Sequence, residues 1–177
     1  MIFGYSSFLY SRDTCFLEEA VSVSRLNDAS TRYAAVDNST DPSRLEALAA
    51  NPDVLLHVTR LDPRRLPEHI KATLYTEADT FIAPQLLTAG NIYAETAITF
   101  DVPQLQSSGN IHVHCVANFS APQLRCSGNI HAARAASFSA PRLRTSGNIL
   151  AGNATSFDAP LLQVSGQIIA VPSGKKS

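Results

Sequence analysis

The sequence has little charge and no marked excess of either sign. Only 16% of its 177 residues are charged and the formal net charge is -1, which argues against a dedicated nucleic-acid binder. No apolar run approaches the roughly 20 residues of a membrane-spanning helix, and the first ten residues lack the basic segment of a secretory signal. We therefore predict no membrane partner, no nucleic-acid partner and a cytoplasmic location.

Cysteine is scarce, and tryptophan is absent. The three cysteines, Cys15, Cys115 and Cys126, are an odd number at no disulfide or metal spacing, which fits a reducing compartment. The hydrophobic fraction of 45% is nevertheless sufficient for a core. The length suits one domain, or one domain with a small appendage.

A 19-residue repeat fills the second half of the chain. Five residue types recur five times each at this spacing, beginning at Phe81, Pro84, Leu86, Gly90 and Ile92. Five positions kept over five copies exclude chance, and a period of this length indicates a stacked-coil architecture.

Each copy predicts one coil with two short strands and two bends. The spacing of Phe, Ala, Leu and Ile is that of inward-facing residues on short strands. Proline favours a corner, and Ser-Gly-Asn predicts a turn in which glycine takes a positive φ. We therefore predict a mainly β fold, a single-stack parallel β-solenoid of five coils. Its interior would contain a stack of phenylalanines, and one turn would carry a ladder of amides from Asn91, Asn110, Asn129, Asn148 and Gln167.

The run F-x-A-P-x-L-x-x-S-G-N-I-x-A resembles the short coils of leucine-rich-repeat-like β-solenoids, including receptor L-type domains. The resemblance covers residues ~72–171 and implies an architecture, from which no function follows. The period of 19 lies just under the 20–29 usual for leucine-rich repeats.

The remaining segments are expected to close the ends of the solenoid. Residues 1–70 do not repeat and predict a small α+β N-terminal cap or a small separate domain, with a helix after Asp41-Pro42 and a strand within residues 53–60. Residues 71–171 form the predicted solenoid, and residues 172–177 form a polar tail. Either this tail folds over the last coil, or a second subunit covers it in a homodimer.

We expect functional residues in the outward columns of the coils, because packing in the core explains the residues of the inward columns. Ile111 and Val113 are expected to face inward, so His112 and His114 face outward. These outward columns contribute a strip that we expect to bind a protein partner: Tyr93, His112, His114, His131 and Leu150.

Part of this strip is also a candidate metal site. Three imidazoles and a carboxylate within about 5–7 Å could hold zinc or another borderline divalent metal. The four residues are Glu95, His112, His114 and His131. We favour ordinary side chains on a β face or part of the protein-binding strip, and no cofactor or metal is predicted.

A second face carries a basic patch of Arg125, Arg142 and Arg144, which could receive an acidic partner or a phosphate, or simply aid solubility. An enzyme is not predicted, because Asp101 and Asp158 share a column but are roughly 14 Å apart, too far for paired-carboxylate hydrolysis of glycosides. We therefore predict a non-catalytic module that binds a protein through a rigid solenoid face. The alternatives are a self-assembling structural solenoid and a metal-dependent enzyme that uses the histidine cluster.

Overall fold

The computed structural model describes residues 32–163 and 165–170. This part of the chain is mainly β and winds as a parallel β-solenoid of about seven turns. The prediction of a solenoid is confirmed, and so is the parallel stacking of the five 19-residue coils. Residues 1–31 of the predicted cap, Cys15 and the predicted polar tail lie outside the described residues.

The longest sheet has eight parallel strands, and we call it the Ile sheet because isoleucine begins its C-terminal strands. Its strands, in spatial order, are β1 (Arg32–Asp37), β2 (Val54–Arg60), β3 (Thr73–Tyr75), β6 (Ile92–Tyr93), β9 (Ile111–His112), β11 (Ile130–His131), β13 (Ile149–Ala151) and β15 (Ile168–Ala170). Strand β2 pairs with β3. The sheet therefore runs without interruption across the boundary expected at residue 70.

The second sheet, which we call the Phe sheet, has five parallel strands with phenylalanine at the centre of each. They are β4 (Thr80–Ile82), β7 (Thr99–Asp101), β10 (Asn118–Ser120), β12 (Ser137–Ser139) and β14 (Ser156–Asp158). A third, shorter ladder consists of β5 (Thr88–Ala89) and β8 (Ser107–Ser108) and continues through single bridges at Cys126 and Thr145. We call this ladder the third wall.

The third wall corrects the prediction of two strands and two bends per coil. In the coil that begins at Phe81 the chain turns at Pro84-Gln85, bends at Gly90 and turns again at Glu95-Thr96. The last turn contains neither proline nor glycine, so turn-residue patterns do not reveal it. Three bends divide each coil into three walls.

The interior is formed by the inward columns of the repeat. Its phenylalanine rings stack with centroids 4.7 to 5.6 Å apart and planes within 8° to 14° of parallel. Leu105, Leu124 and Leu143 are buried beside this stack, as are the isoleucines at Ile111 and Ile130. The predicted aromatic stack is therefore confirmed, and like residues cover like residues from coil to coil.

The amide ladder is present, and its oxygens bond to backbone. The side-chain Oδ1 of Asn91 accepts a hydrogen bond from the backbone N–H of Asn110, one coil further on, at 2.9 Å. The same bond, at 2.8 Å, repeats in the next three coils and ends at the N–H of Gln167. Each asparagine thus ties one turn to the next.

The glycines of the Ser-Gly-Asn turns are needed for space, which corrects the expectation of a positive φ. None of the described glycines has a φ in the left-handed region. A Cβ at Gly128 would instead lie 2.5 Å from Oδ1 of Asn110, and a Cβ at Gly147 equally close to Oδ1 of Asn129. The asparagine ladder therefore leaves room only for a hydrogen atom at this position.

The N-terminal part of the described chain contains an α-helix, α1 (Pro42–Ala49), as the Asp41-Pro42 pair predicts, and a short 3-10 helix over Pro63–Arg65. Asp41 accepts hydrogen bonds from the backbone N–H groups of Ser43 and Arg44, and Pro42 takes the first helical position. Leu45 on this helix is buried in the core. The predicted strand within residues 53–60 is β2.

Candidate binding face

The outward side of the Ile sheet carries the predicted strip. The isoleucine of each strand faces inward and the next residue faces outward, because side chains alternate along a strand. Strand register aligns Tyr93 with His112, His112 with His131, and His131 with Leu150. The structure therefore brings these four predicted residues into one column.

The column extends further toward the N-terminus than the sequence suggested. Tyr93 is aligned with Tyr75, and Tyr75 with His57. The result is an unbroken run of rings over five neighbouring strands, followed by Leu150. We call this run the ring column: His57, Tyr75, Tyr93, His112 and His131.

A local change of period hid the first two rings. His69 and Thr88 pair at a separation of 19 residues, but Leu74 and Ile92 pair at a separation of 18. A strict 19-residue period assigns Leu74, which faces inward, to the column of Tyr93. The outward ring at Tyr75 becomes visible only in the strand register.

Direct ring contacts occur within the column on either side of the step from Tyr75 to Tyr93. Ring centroids are 4.9 Å apart for His57 and Tyr75, 4.7 Å for Tyr93 and His112, and 4.5 Å for His112 and His131. The hydroxyl of Tyr33 also forms a hydrogen bond with Nδ1 of His57. Such contacts hold the rings in a fixed order along the sheet.

The hydroxyl of Tyr75 is held in its protonated form. It donates a hydrogen bond of 2.8 Å to Oε1 of Glu77. Burial, together with the negative charge of Glu77 and Glu95, raises the pKa of the Tyr75 phenol well above its ordinary value. The ring column therefore offers a neutral phenol at this point over the whole physiological pH range.

The rings are less exposed than an outward column suggests. His131 is buried, with 9% of its surface exposed, while Tyr93, His112 and Leu150 are half-buried. The reason lies in part in the stacking, since a ring in contact with its neighbour covers the face of that neighbour. The ring column is therefore a compact strip across the face of the sheet. It combines apolar ring faces with polar atoms, and its side chains are packed against one another.

His114 and Glu95 lie beyond the column, where the strand has ended and the chain enters the turn. Both are half-buried. Within the described residues, no three His, Cys, Asp or Glu side chains form a group that could hold a metal ion. The rings of His112 and His131 lie against each other, with centroids 4.5 Å apart and planes tilted by 36°.

The predicted basic patch is also brought together. The backbone N–H of Arg144 donates to the carbonyl of Arg125 at 2.9 Å, which places these residues on adjacent coils. Nη1 of Arg142 donates to Oε1 of Gln123 at 2.5 Å. All three arginine side chains are exposed.

The acidic side chains and the cysteines considered for catalysis are exposed in the described part of the chain. Asp101 and Asp158 are exposed on β7 and β14, which are separated by two strands of the Phe sheet. Cys115 and Cys126 are exposed free thiols. Every buried side-chain nitrogen and oxygen in this part of the chain has a hydrogen-bond partner.

No protein-family model, no curated protein and no solved structure matches the chain. The resemblance to leucine-rich-repeat-like solenoids therefore rests on the repeat motif alone. Among the helices of the described part, none has the length and hydrophobicity to cross a bilayer.

Proposed function

We propose that this chain is a non-catalytic binding module that receives a protein partner on its ring column. The observation that carries the proposal is the column of five tyrosine and histidine rings aligned on neighbouring strands, continued by Leu150. Protein interfaces are enriched in aromatic residues, and their strongest contacts are made by amphipathic rings that combine apolar faces with a polar edge.

The solenoid supports this role because it holds the rings in place before binding. Each strand of the column is bonded to two neighbours, and the core beneath it is fully buried at Ile92, Ile111 and Ile130. Side chains that are already ordered lose little conformational entropy when a partner docks. Rigid presentation of a fixed row of rings is the mechanism that we infer.

The proposal predicts that two negative charges on this face abolish partner binding. We expect His112→Asp with Leu150→Asp, on β9 and β13, to lower the recovery of the partner at least tenfold, because carboxylates are desolvated at an apolar interface. The measurement is affinity purification from the native host, with quantitative mass spectrometry of bound proteins.

The matched control places two negative charges on the Phe sheet. Asn118→Asp with Ser156→Asp lies on β10 and β14 and has the same spacing of two coils, at exposed positions. We expect this variant to retain the partner in full, and both variants to keep the far-UV circular dichroism of the parent chain. Equal recovery from both variants would refute the ring column as the binding face.

A specific observation favours self-association through the C-terminal coil as a second candidate function. Phe157 and Ile168 are 36% and 43% exposed, whereas their counterparts one coil earlier, Phe138 and Ile149, are 0% exposed. Elsewhere in the solenoid the corresponding phenylalanine and isoleucine are covered by the next coil, which has a similar composition. A second copy related by a two-fold axis supplies an equivalent surface and closes the assembly as a dimer.

This candidate predicts a mass that rises with concentration. Ile168→Asp, at a position 43% exposed on this surface, is expected to give a monomer throughout a sedimentation series. Ile98→Asp, at a position 58% exposed, is the control away from the last coil and should leave the association unchanged. A parent chain that is monomeric at every concentration would exclude the dimer.

We infer kinship with leucine-rich-repeat-like solenoids, which the buried Leu86, Leu105 and Leu124 and the repeated Ser-Gly-Asn-Ile run support. A cytoplasmic location is proposed because Cys115 and Cys126 are exposed free thiols, as is common in a reducing compartment.

A further inference from the structure

The basic patch lies beside the third wall, in two outward columns that follow the proline turn. These columns contain glutamine, leucine and arginine from the first to the last repeat. They read Gln85, Gln104, Gln123, Arg142, Leu161 and Leu87, Gln106, Arg125, Arg144, Gln163. The nearest acid in either is Glu68, which precedes Leu87 in the second column and is three coils, or roughly 14 Å, from Arg125.

The backbone places the three arginines next to one another on adjacent coils. Arg125 and Arg144 are consecutive in a column, with their backbones hydrogen-bonded, so their Cα atoms are about 4.8 Å apart. Arg142 and Arg144 flank the buried Leu143 and therefore leave the wall on the same side. The hydrogen bond from Arg142 to Gln123 draws its guanidinium toward the coil that carries Arg125.

Within the described part of the chain, none of these three arginines forms an ion pair with an acidic residue. Guanidinium groups stay protonated at every physiological pH, and like charges directly opposite each other on neighbouring strands repel. An anion that binds all three relieves this repulsion.

We propose that Arg125, Arg142 and Arg144 form a binding site for a phosphate monoester, presented as a phosphorylated side chain of a protein. A phosphate monoester carries about -1.5 to -2 charges and three terminal oxygens, which match three guanidinium forks. A carboxylate has only two oxygens and a single charge, and it satisfies one fork. Clusters of arginine are a recurring solution for reading phosphorylated residues.

The site is separate from the ring column. It lies beside the third wall, whereas the ring column lies on the Ile sheet. The two proposals can therefore fail independently, and a partner that uses both would be bound more tightly when phosphorylated.

The test compares three peptides and free phosphate on the full chain. The peptides are unstructured and share a sequence without other charges. They differ at one position, which is phosphoserine, serine or glutamate. We expect the phosphoserine peptide to bind at least tenfold more tightly than the other two in fluorescence anisotropy. Inorganic phosphate should compete with it at millimolar concentration, and added salt should weaken the binding.

Two variants, each of which replaces two arginines by glutamine, separate the role of the patch from the effect of net charge. Arg125→Gln with Arg144→Gln should weaken binding of the phosphoserine peptide at least tenfold, whereas Arg60→Gln with Arg134→Gln, at exposed positions outside the patch, should leave it within twofold. Equal weakening by both pairs would reduce the effect to net charge and overturn the site. Equal affinity for the phosphoserine and glutamate peptides would overturn its selectivity for phosphate.

Discussion

Phe119→Ala is expected to lower the free energy of unfolding by about 3–5 kcal/mol, because a fully buried ring is removed and a cavity is left. The Phe119 ring lies between Phe100, at 5.6 Å, and Phe138, at 4.7 Å, so both ring contacts are lost. The cavity lies in the middle of the stack, where a coil above and a coil below prevent collapse. Urea unfolding followed by circular dichroism measures the change.

Phe157→Ala is the control for this prediction, in the same column of the same repeat. Phe157 is 36% exposed and contacts a single ring, that of Phe138, at 4.8 Å. We expect less than half of the loss seen for Phe119→Ala, since less area returns to water and the site is open. Equal losses would show that the last coil is covered in solution, or that the stack is not the core of the fold.

Gly128→Ala is expected to cost about 1–3 kcal/mol, in the range of overpacked core positions. The new Cβ would lie 2.5 Å from Oδ1 of Asn110, and that oxygen accepts the backbone N–H of Asn129 at 2.8 Å. Either the asparagine moves and the N–H loses its partner, or the turn shifts outward. Both outcomes weaken the junction between two coils. The thermal midpoint and the urea midpoint should fall together.

Gly152→Ala tests whether the loss comes from the asparagine ladder or from glycine replacement in general. A Cβ at Gly152 would have only the carbonyl oxygen of Ala133 nearby, at 3.9 Å. We expect a neutral result or a gain of up to about 1 kcal/mol, because alanine restricts the unfolded chain. Adding Asn110→Ala to Gly128→Ala should cost less than the sum of the two single changes, since the clash and the ladder bond share one oxygen.

The sequence predicted the inward columns well because periodic packing leaves a direct record in residue type. Phe119, Leu124 and Ile130 each stand where the 19-residue period places them, and each is buried. The number of bends in each coil could not be predicted from the sequence in the same way. The third turn, at Glu95-Thr96, is formed by residues without special backbone preferences, and the neighbouring walls determine it.

The glycine positions show how a correct pattern can have a different cause. The Ser-Gly-Asn run does form a bend, but the requirement at Gly128 is set by Asn110 from the previous coil. A local turn rule considers only adjacent residues, whereas this contact joins residues 18 positions apart. Only the stacking of coils reveals it.

The ring column was half visible in the sequence. Tyr93, His112 and His131 follow the period and could be aligned, whereas His57 and Tyr75 lie where the pairing is 18 residues apart. The burial of His131 was also hidden, because alternation predicts the side of a strand and not what covers it.

Site-specific photo-crosslinking in the native host tests the binding face most directly. A photoreactive amino acid at Leu150, next to His131 in the column, is compared with one at Ser139 on the outward side of the Phe sheet. We expect a discrete crosslinked adduct with another protein from position 150 and none from position 139. An adduct from position 139 alone, or the same adducts from both positions, would contradict this expectation.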